Sequence, residues 1–406
     1  MKKSPPSLLS GIAIVAGTAV GAGMFSLPIV SSGMWFSWSL VLLFTTWFFM
    51  YHSSLMIMEA NLNFEPGASF DTFVSKLLGP RWNALNSLTL LFVLYILTYA
   101  YVSGGGSIVS HTLEEVAGVA LPRTLAGLIF ATGLAAFVWY SAALVGRLTS
   151  VFVGGMIVTF MMSVGGLTLS VETSLLFQLE PEYLFFTLAA IPTYLTAFGY
   201  HGCVPSLVKL YHQDPQRIQI CLLVGSLISL VVYTIWHVAT LGNIPRADFV
   251  AIKSAGGNVG DMVQALENVA DASQLSSLLG LFANFAVVSS FLGVTLGLFD
   301  FIADKFKFGD DKFGRFKTAM ITFIPPAIGG LFFPNGFLYA IGLAGLCACM
   351  WGTIVPAMAA RASRVQFGSP AYRVWGGSAL IYLVIGYGLL LVVCYLLAAA
   401  KLLPVL

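Results

Sequence analysis

Residues 13–28 read AIVAGTAVGAGMFSLP. Gly17, Gly21 and Gly23 fall within seven positions of what is otherwise an apolar helix, although a glycine in a helix interior costs about 1 kcal/mol against alanine. Composition decides how this stretch is read. Of 406 residues, 58% are hydrophobic and only 9% charged, with a mean hydropathy of +0.91. A soluble domain carries about 25% charged residues, so lipid must be part of the solvent. The fold class expected is an all-α polytopic membrane protein.

Runs free of Asp, Glu, Lys and Arg extend over 4–58, 82–113, 124–146, 148–171, 183–208, 218–245, 272–299, 318–360 and 374–400. A spanning helix needs about 20 apolar residues. Seven runs hold one helix each, and 4–58 and 318–360 hold two, with turns near Ser31–Trp35 and Pro334–Gly336, giving eleven helices. With the N-terminus inside, the inner loops collect fifteen basic residues, including Lys2, Lys3, Lys209 and Arg364. The outer loops hold only Arg123, Arg246, Lys253 and Lys401, so the positive-inside rule puts the N-terminus in the cytoplasm and the C-terminus outside. The first apolar run outlasts a signal core and has no cleavage pattern, which reads as a retained helix. The five cysteines contain no CxxC pair, and no metal site is expected. Loops are short except at 61–81, 242–274 and 303–317. The end of 242–274 reads as an amphipathic surface helix in an outer cap.

A second stretch, YLTAFGYHGCVPSL at 194–207, repeats the opening pattern. Thr18-Ala19-x-Gly21 aligns with Thr196-Ala197-x-Gly199, and a proline follows each, Pro28 and Pro205. One copy lies in the first helix and the other in the sixth, so five crossings invert the second. Interrupted helices at matching places in inverted halves are the best pointer in a sequence to a transporter's binding site. The chain then divides as one transporter domain over 1–406: a first five-helix repeat at 8–170, an inverted one at 184–358, and an eleventh helix at 375–399. Unwound backbone is tolerated in a membrane only where it lines a cavity or is buried in protein. Restarting N–H groups at Ala22 and Gly23 suit a carboxylate, and carbonyls near Gly17, Thr18 and Thr196–Phe198 suit an ammonium. Together they fit an amino acid. The alternative for Gly17-x-x-x-Gly21 is close helix packing.

Ionisable groups inside the membrane mark ion paths by default. His201, at the second break, is the leading candidate for proton coupling, against a neutral histidine that bonds freed carbonyls. Glu59 and His237 are expected near the interfaces. Tyr95 and Tyr99 share a face of the third helix, and Tyr101 points elsewhere; Tyr99 and Tyr101 are candidates for an aromatic pocket. No HExxH, GxSxG or Walker A pattern occurs, which argues against an enzyme or a primary pump.

The strings AGTAVGAGMFSLP, AFGYHGCVPSLVK and SSFLGVTLGLFDFIAD (289–304) resemble the bacterial aromatic amino acid permeases, those for tyrosine and tryptophan, of the amino acid–polyamine–cation superfamily. The resemblance covers essentially the whole chain. It implies a LeuT-type 5+5 inverted repeat plus one helix, with helices 1 and 6 unwound. It also implies proton-driven uptake of tyrosine, tryptophan or phenylalanine across the inner membrane by alternating access, without a cofactor or obligate protein partner. Carried over, the break from Gly17 through Thr18, Ala19, Gly21, Ala22 and Gly23 holds the amino acid backbone, and Thr196, Phe198, Gly199 and Tyr200 line the facing wall. Val20, Ser289 and Ser290 join His201 as coupling candidates. The two serines sit where sodium-coupled relatives place cation ligands, or else bond between helices. A sodium-coupled symporter, or a carrier of a small hydroxy amino acid such as serine, is the alternative.

Overall fold

The computed structural model describes residues 7–66, 68–178, 180–269, 273–368 and 372–404. Lys2 and Lys3, counted among the basic residues, lie outside that set. Apolar side chains on a backbone that lipid cannot hydrate leave helix as the default, and no strand occurs among the described residues. In chain order the helices are α1 (Leu8–Ala19), α2 (Ser26–Ser31), α3 (Trp35–Asn61), α4 (Phe70–Leu78), α5 (Pro80–Ala117), α6 (Arg123–Tyr140), α7 (Ala142–Leu169), α8 (Thr173–Leu176) and α9 (Leu184–Ala197). Then follow α10 (Val204–Leu210), α11 (Pro215–Leu241), α12 (Asp248–Ser254), α13 (Val259–Val269), α14 (Ser273–Phe306), α15 (Lys312–Phe332), α16 (Phe337–Cys349), α17 (Val355–Phe367) and α18 (Gly377–Ala399). The turns expected at Ser31–Trp35 and Pro334–Gly336 separate α2 from α3 and α15 from α16.

Nine stretches among the described residues are long and apolar enough to cross a membrane, and the pair α1 and α2, bent by 47°, makes a tenth. The shortfall against eleven lies in α15. Lys312, Arg315 and Lys317 fall within its first six positions, leaving 15 uncharged residues, about 22 Å at 1.5 Å per residue, against a hydrocarbon core of about 30 Å. The loop expected at 303–317 shrinks to five residues because α14 runs on to Phe306 and α15 starts at Lys312. The surface helix expected in 242–274 is α13, which buries Met262, Val263 and Leu266; residues 270–272 lie outside the described set.

The helices pack in a pattern with matching halves. α1 lies on α11 and α9 on α3, while α5 lies on α16 and α14 on α7. The close approaches are made by glycines away from the break. A Cβ on Gly11 would meet Cys221 Sγ at 2.5 Å, and one on Gly225 would meet Val15 at 2.5 Å.

The two ends of the bundle differ. At the end bearing α4, Glu59 is buried and accepts from Arg364 Nε and Nη2, at 2.6 and 2.8 Å, and from the Val374 N–H at 2.8 Å. At the other end α13 is latched down. Arg123 of α6 pairs with Asp261 and donates to the Ala255 carbonyl at 3.1 Å, and the Gly260 N–H donates to Ser107 Oγ at 3.1 Å. Glu59 and His237 therefore sit inside the protein: His237 is wholly buried, its Nε2 within 3.1 Å of Ser31 Oγ and 3.0 Å of the Tyr194 hydroxyl.

Candidate functional site

Both helices that carry the repeated pattern break, and they break in register. α1 ends at Ala19, a 3-10 turn covers Ala22–Phe25, and α2 starts at Ser26. α9 ends at Ala197, a 3-10 turn covers His201–Cys203, and α10 starts at Val204. The two last residues are 178 apart, and so are the two restarts. Between Ala19 and Ala22 the chain is extended, with Val20 at φ −76°, ψ 114° and Gly21 at φ −167°, ψ −163°.

A side chain the sequence reading missed ties the breaks together. The Tyr233 hydroxyl, on α11, lies 2.7 Å from the Ala19 carbonyl oxygen and 2.7 Å from that of Ala197. These are the last helical residues before the two breaks. One hydroxyl proton serves two acceptors, so the carbonyls share it. The Phe198 ring meets the Tyr233 ring edge-on at 5.2 Å. The available signal was Tyr233 four residues before His237 in an otherwise charge-free run, a spacing that puts both on one helix face.

The other named residues divide. The Ala22 N–H donates to Ser290 Oγ at 2.9 Å, so a serine hydroxyl stands where the sequence reading puts a carboxylate. Tyr101, buried on α5, points its hydroxyl toward Ser290. Ser289 bonds its own helix at the Ala286 carbonyl, 3.1 Å away. Gly17 and Thr18 are exposed, and the Thr18 hydroxyl donates to Ile14 O at 2.6 Å. A Cβ added at Gly17 or Gly23 meets nothing within 4 Å, whereas one at Gly21 would meet Ser290 Oγ at 2.4 Å. Thr196 donates to the Pro192 and Ile341 carbonyls at 3.0 and 3.1 Å, and the Gly199 N–H turns back to Thr196 O at 3.1 Å. Tyr99 is not brought to the breaks: its hydroxyl donates to Phe333 O at 2.8 Å, against α15 and α16.

Tyr200 and His201 are fully buried. Neither ring nitrogen of His201 makes a hydrogen bond of normal geometry among the described residues, though the Met50 backbone lies nearby. Its ring faces Tyr200 at 5.1 Å and Trp351 at 6.2 Å. Trp351 lies in a π-helical turn, Met350–Ile354, an irregularity that frequently marks functional positions. The set closest to a metal-ligand arrangement, His111, Glu115 and Glu267, is elsewhere, at the α13 end, and includes a His111–Glu267 pair at 3.1 Å.

The geometry is thus two half-helix pairs facing one another across Tyr233, with glycines leaving space at the break. Comparison with known proteins points to a family of carriers. The model of the tryptophan/tyrosine permease family matches residues 4–395. The tryptophan-specific transport protein of Pseudomonas aeruginosa (strain UCBPP-PA14) is 54% identical over 98% of this chain and 96% of its own. That of Shigella flexneri is 51% identical over 99% and 98%. The tyrosine permease of Enterobacter agglomerans is 40% identical over 100% and 99%. The chain belongs to the tryptophan/tyrosine permease family, and is a multi-pass membrane transporter of amino acids rather than an enzyme.

Proposed function

We infer that this chain is a proton symporter that imports tryptophan across the bacterial inner membrane by alternating access, with the substrate's ammonium and carboxylate held at the paired breaks. The observation that carries the reading is the convergence of the Ala19 and Ala197 carbonyls on one hydroxyl. Broken helices at corresponding places of two repeats form midplane sites in secondary transporters. The paired packings, α1 on α11 with α9 on α3 and α5 on α16 with α14 on α7, support two inverted five-helix repeats, 8–170 and 184–358, with α15 as the short ninth crossing and α18 as the eleventh. Tryptophan is preferred over tyrosine because the relatives at 47–54% identity bear tryptophan-specific names, whereas the tyrosine permease stands at 40% and a tyrosine-specific system at 30%. The end of the bundle bearing α4 is then cytoplasmic. A cavity opens beside α4 and α10 while α13 covers the other end, an arrangement that suits a carrier open to one side.

Proton coupling draws its support from His201, buried at the second break with no normal hydrogen bond to its ring. Ser290 is engaged by Ala22 and Ser289 by its own helix, which leaves sodium as the second reading. Labelled tryptophan uptake into proteoliposomes, under a proton or a sodium gradient at matched membrane potential, separates the two. Proton-driven accumulation is expected. It should be lost in His201→Ala while tryptophan–tryptophan exchange persists; accumulation that requires sodium contradicts the coupling.

A further inference from the structure

The hairpin that joins α14 to α15 reads KFKFGDDKFGRFK at 305–317, a basic and aromatic stretch. Its acids are spent locally. Asp304 takes Lys307 Nζ at 2.9 Å, Asp310 takes Arg315 Nη1 at 2.7 Å, and Asp311 caps α15 by accepting from the Phe313 N–H at 3.2 Å. Arg315 is spent too, since it also donates to the Val138 and Trp139 carbonyls at 2.8 and 2.6 Å, where α6 ends. Lys305, Lys312 and Lys317 are left exposed, with no ion pair among the described residues.

The apolar residues of the hairpin continue one face of α15. Phe313, Phe316, Met320, Ile324, Ile328 and Leu331 are all exposed, and their spacing of three and four residues makes a single stripe along the helix. From Phe313 to Leu331 the stripe runs about 27 Å at 1.5 Å per residue, against about 30 Å for a hydrocarbon core. Lys317 interrupts it. Its ammonium is folded back one turn, 4.3 Å from the centre of the Phe313 ring and 5.9 Å from that of Phe308, which carries the charge toward the start of the helix. Lysines within a lipid-facing stripe snorkel to the interface in this way. The start of α15 thereby marks the level of the headgroups, with Lys312 there and Lys305 at the end of α14. We propose that this hairpin binds an anionic phospholipid: Lys305, Lys312 and Lys317 hold its headgroup, and Phe313 and Phe316 lie against its acyl chains. Three uncommitted cations complement a headgroup with net negative charge and gain little from a zwitterionic one. The inference rests on α15 crossing the membrane, as read above, and on no choice of substrate or coupling ion.

Native mass spectrometry of the purified full chain in detergent, titrated with phosphatidylglycerol or with phosphatidylcholine of the same acyl chains, measures the affinity for the first lipid bound. Phosphatidylglycerol should bind about tenfold more tightly or better. The triple variant Lys305→Gln, Lys312→Gln, Lys317→Gln should lose that preference while melting as the native chain does, because none of the three lysines is in an ion pair. Inorganic phosphate should displace phosphatidylglycerol no better than chloride at equal ionic strength. Equal binding of the two lipids by the native chain, or a preference that survives in the triple variant, overturns the proposal. Displacement by phosphate beyond that by chloride assigns the lysines to a soluble anion and overturns it as well. Each of these results leaves the transport reading standing.

Discussion

Tyr233 is the residue on which the site turns. Its hydroxyl supplies one proton to two carbonyls that their helices have released, Ala19 O and Ala197 O. Removing the hydroxyl leaves both without a partner in a buried setting, at a cost of about 1–3 kcal/mol. Tyr233→Phe, which keeps the ring against Phe198, should lower both thermal stability and tryptophan affinity. Equal melting and equal binding would remove Tyr233 from the account. The sequence made the break legible through Gly21 and Gly23, because glycine in an apolar helix is conspicuous. It did not make Tyr233 legible, since a tyrosine among aliphatics reads as packing until the opposite helix ends are placed. The surroundings of Tyr99 were illegible for the converse reason: helical spacing fixes which residues share a face, but not that this face meets the carbonyl of Phe333.

At the scale of elements, the glycines sort by what a Cβ would touch. Gly17 faces open space, so its small-residue spacing with Gly21 is not a packing seam, whereas Gly225 lies against Val15 where α1 meets α11. Gly17→Ala should fold and melt like the native chain. Gly225→Leu should lower the melting temperature and the yield of folded protein, because neither helix backbone can yield; the reverse order would refute this division. The extramembrane helix α12 carries a pH prediction. Burial lowers the Lys253 ammonium from 10.5 to about 8. Its folded value lies below the unfolded one, so in that window the unfolded chain holds more protons and stability rises with pH. Lys253→Met should flatten that rise between about pH 8 and 10.5 in thermal melts; an unaltered slope would show that Lys253 is not its source. Charge-free runs gave helix positions well. They misjudged α14 and α15, because charges at a membrane surface do not end a helix, and α15 keeps three basic residues inside its own first turns.

Across the whole molecule, the two helix breaks lie 178 residues apart and the packings match in pairs. Each end is fastened by an ion pair, buried for Glu59 with Arg364 and partly exposed for Asp261 with Arg123. Removing one partner of a buried pair costs about 3–5 kcal/mol, so Glu59→Gln should destabilise the α4 end markedly in detergent melts, and a native melting curve would contradict its structural role. The paired breaks were visible in the sequence as Thr-Ala-x-Gly twice. The ion pairs were not, because Glu59 and Arg364 are 305 residues apart and nothing local joins them. The claim that the glycine-rich break holds the substrate is tested most directly at Gly23, where an added Cβ meets no atom within 4 Å beyond its chain neighbours. Binding of labelled tryptophan to purified Gly23→Val should fall to background at the central site while the protein elutes and melts as the native chain does. Undiminished central-site binding by that folded variant would contradict the account.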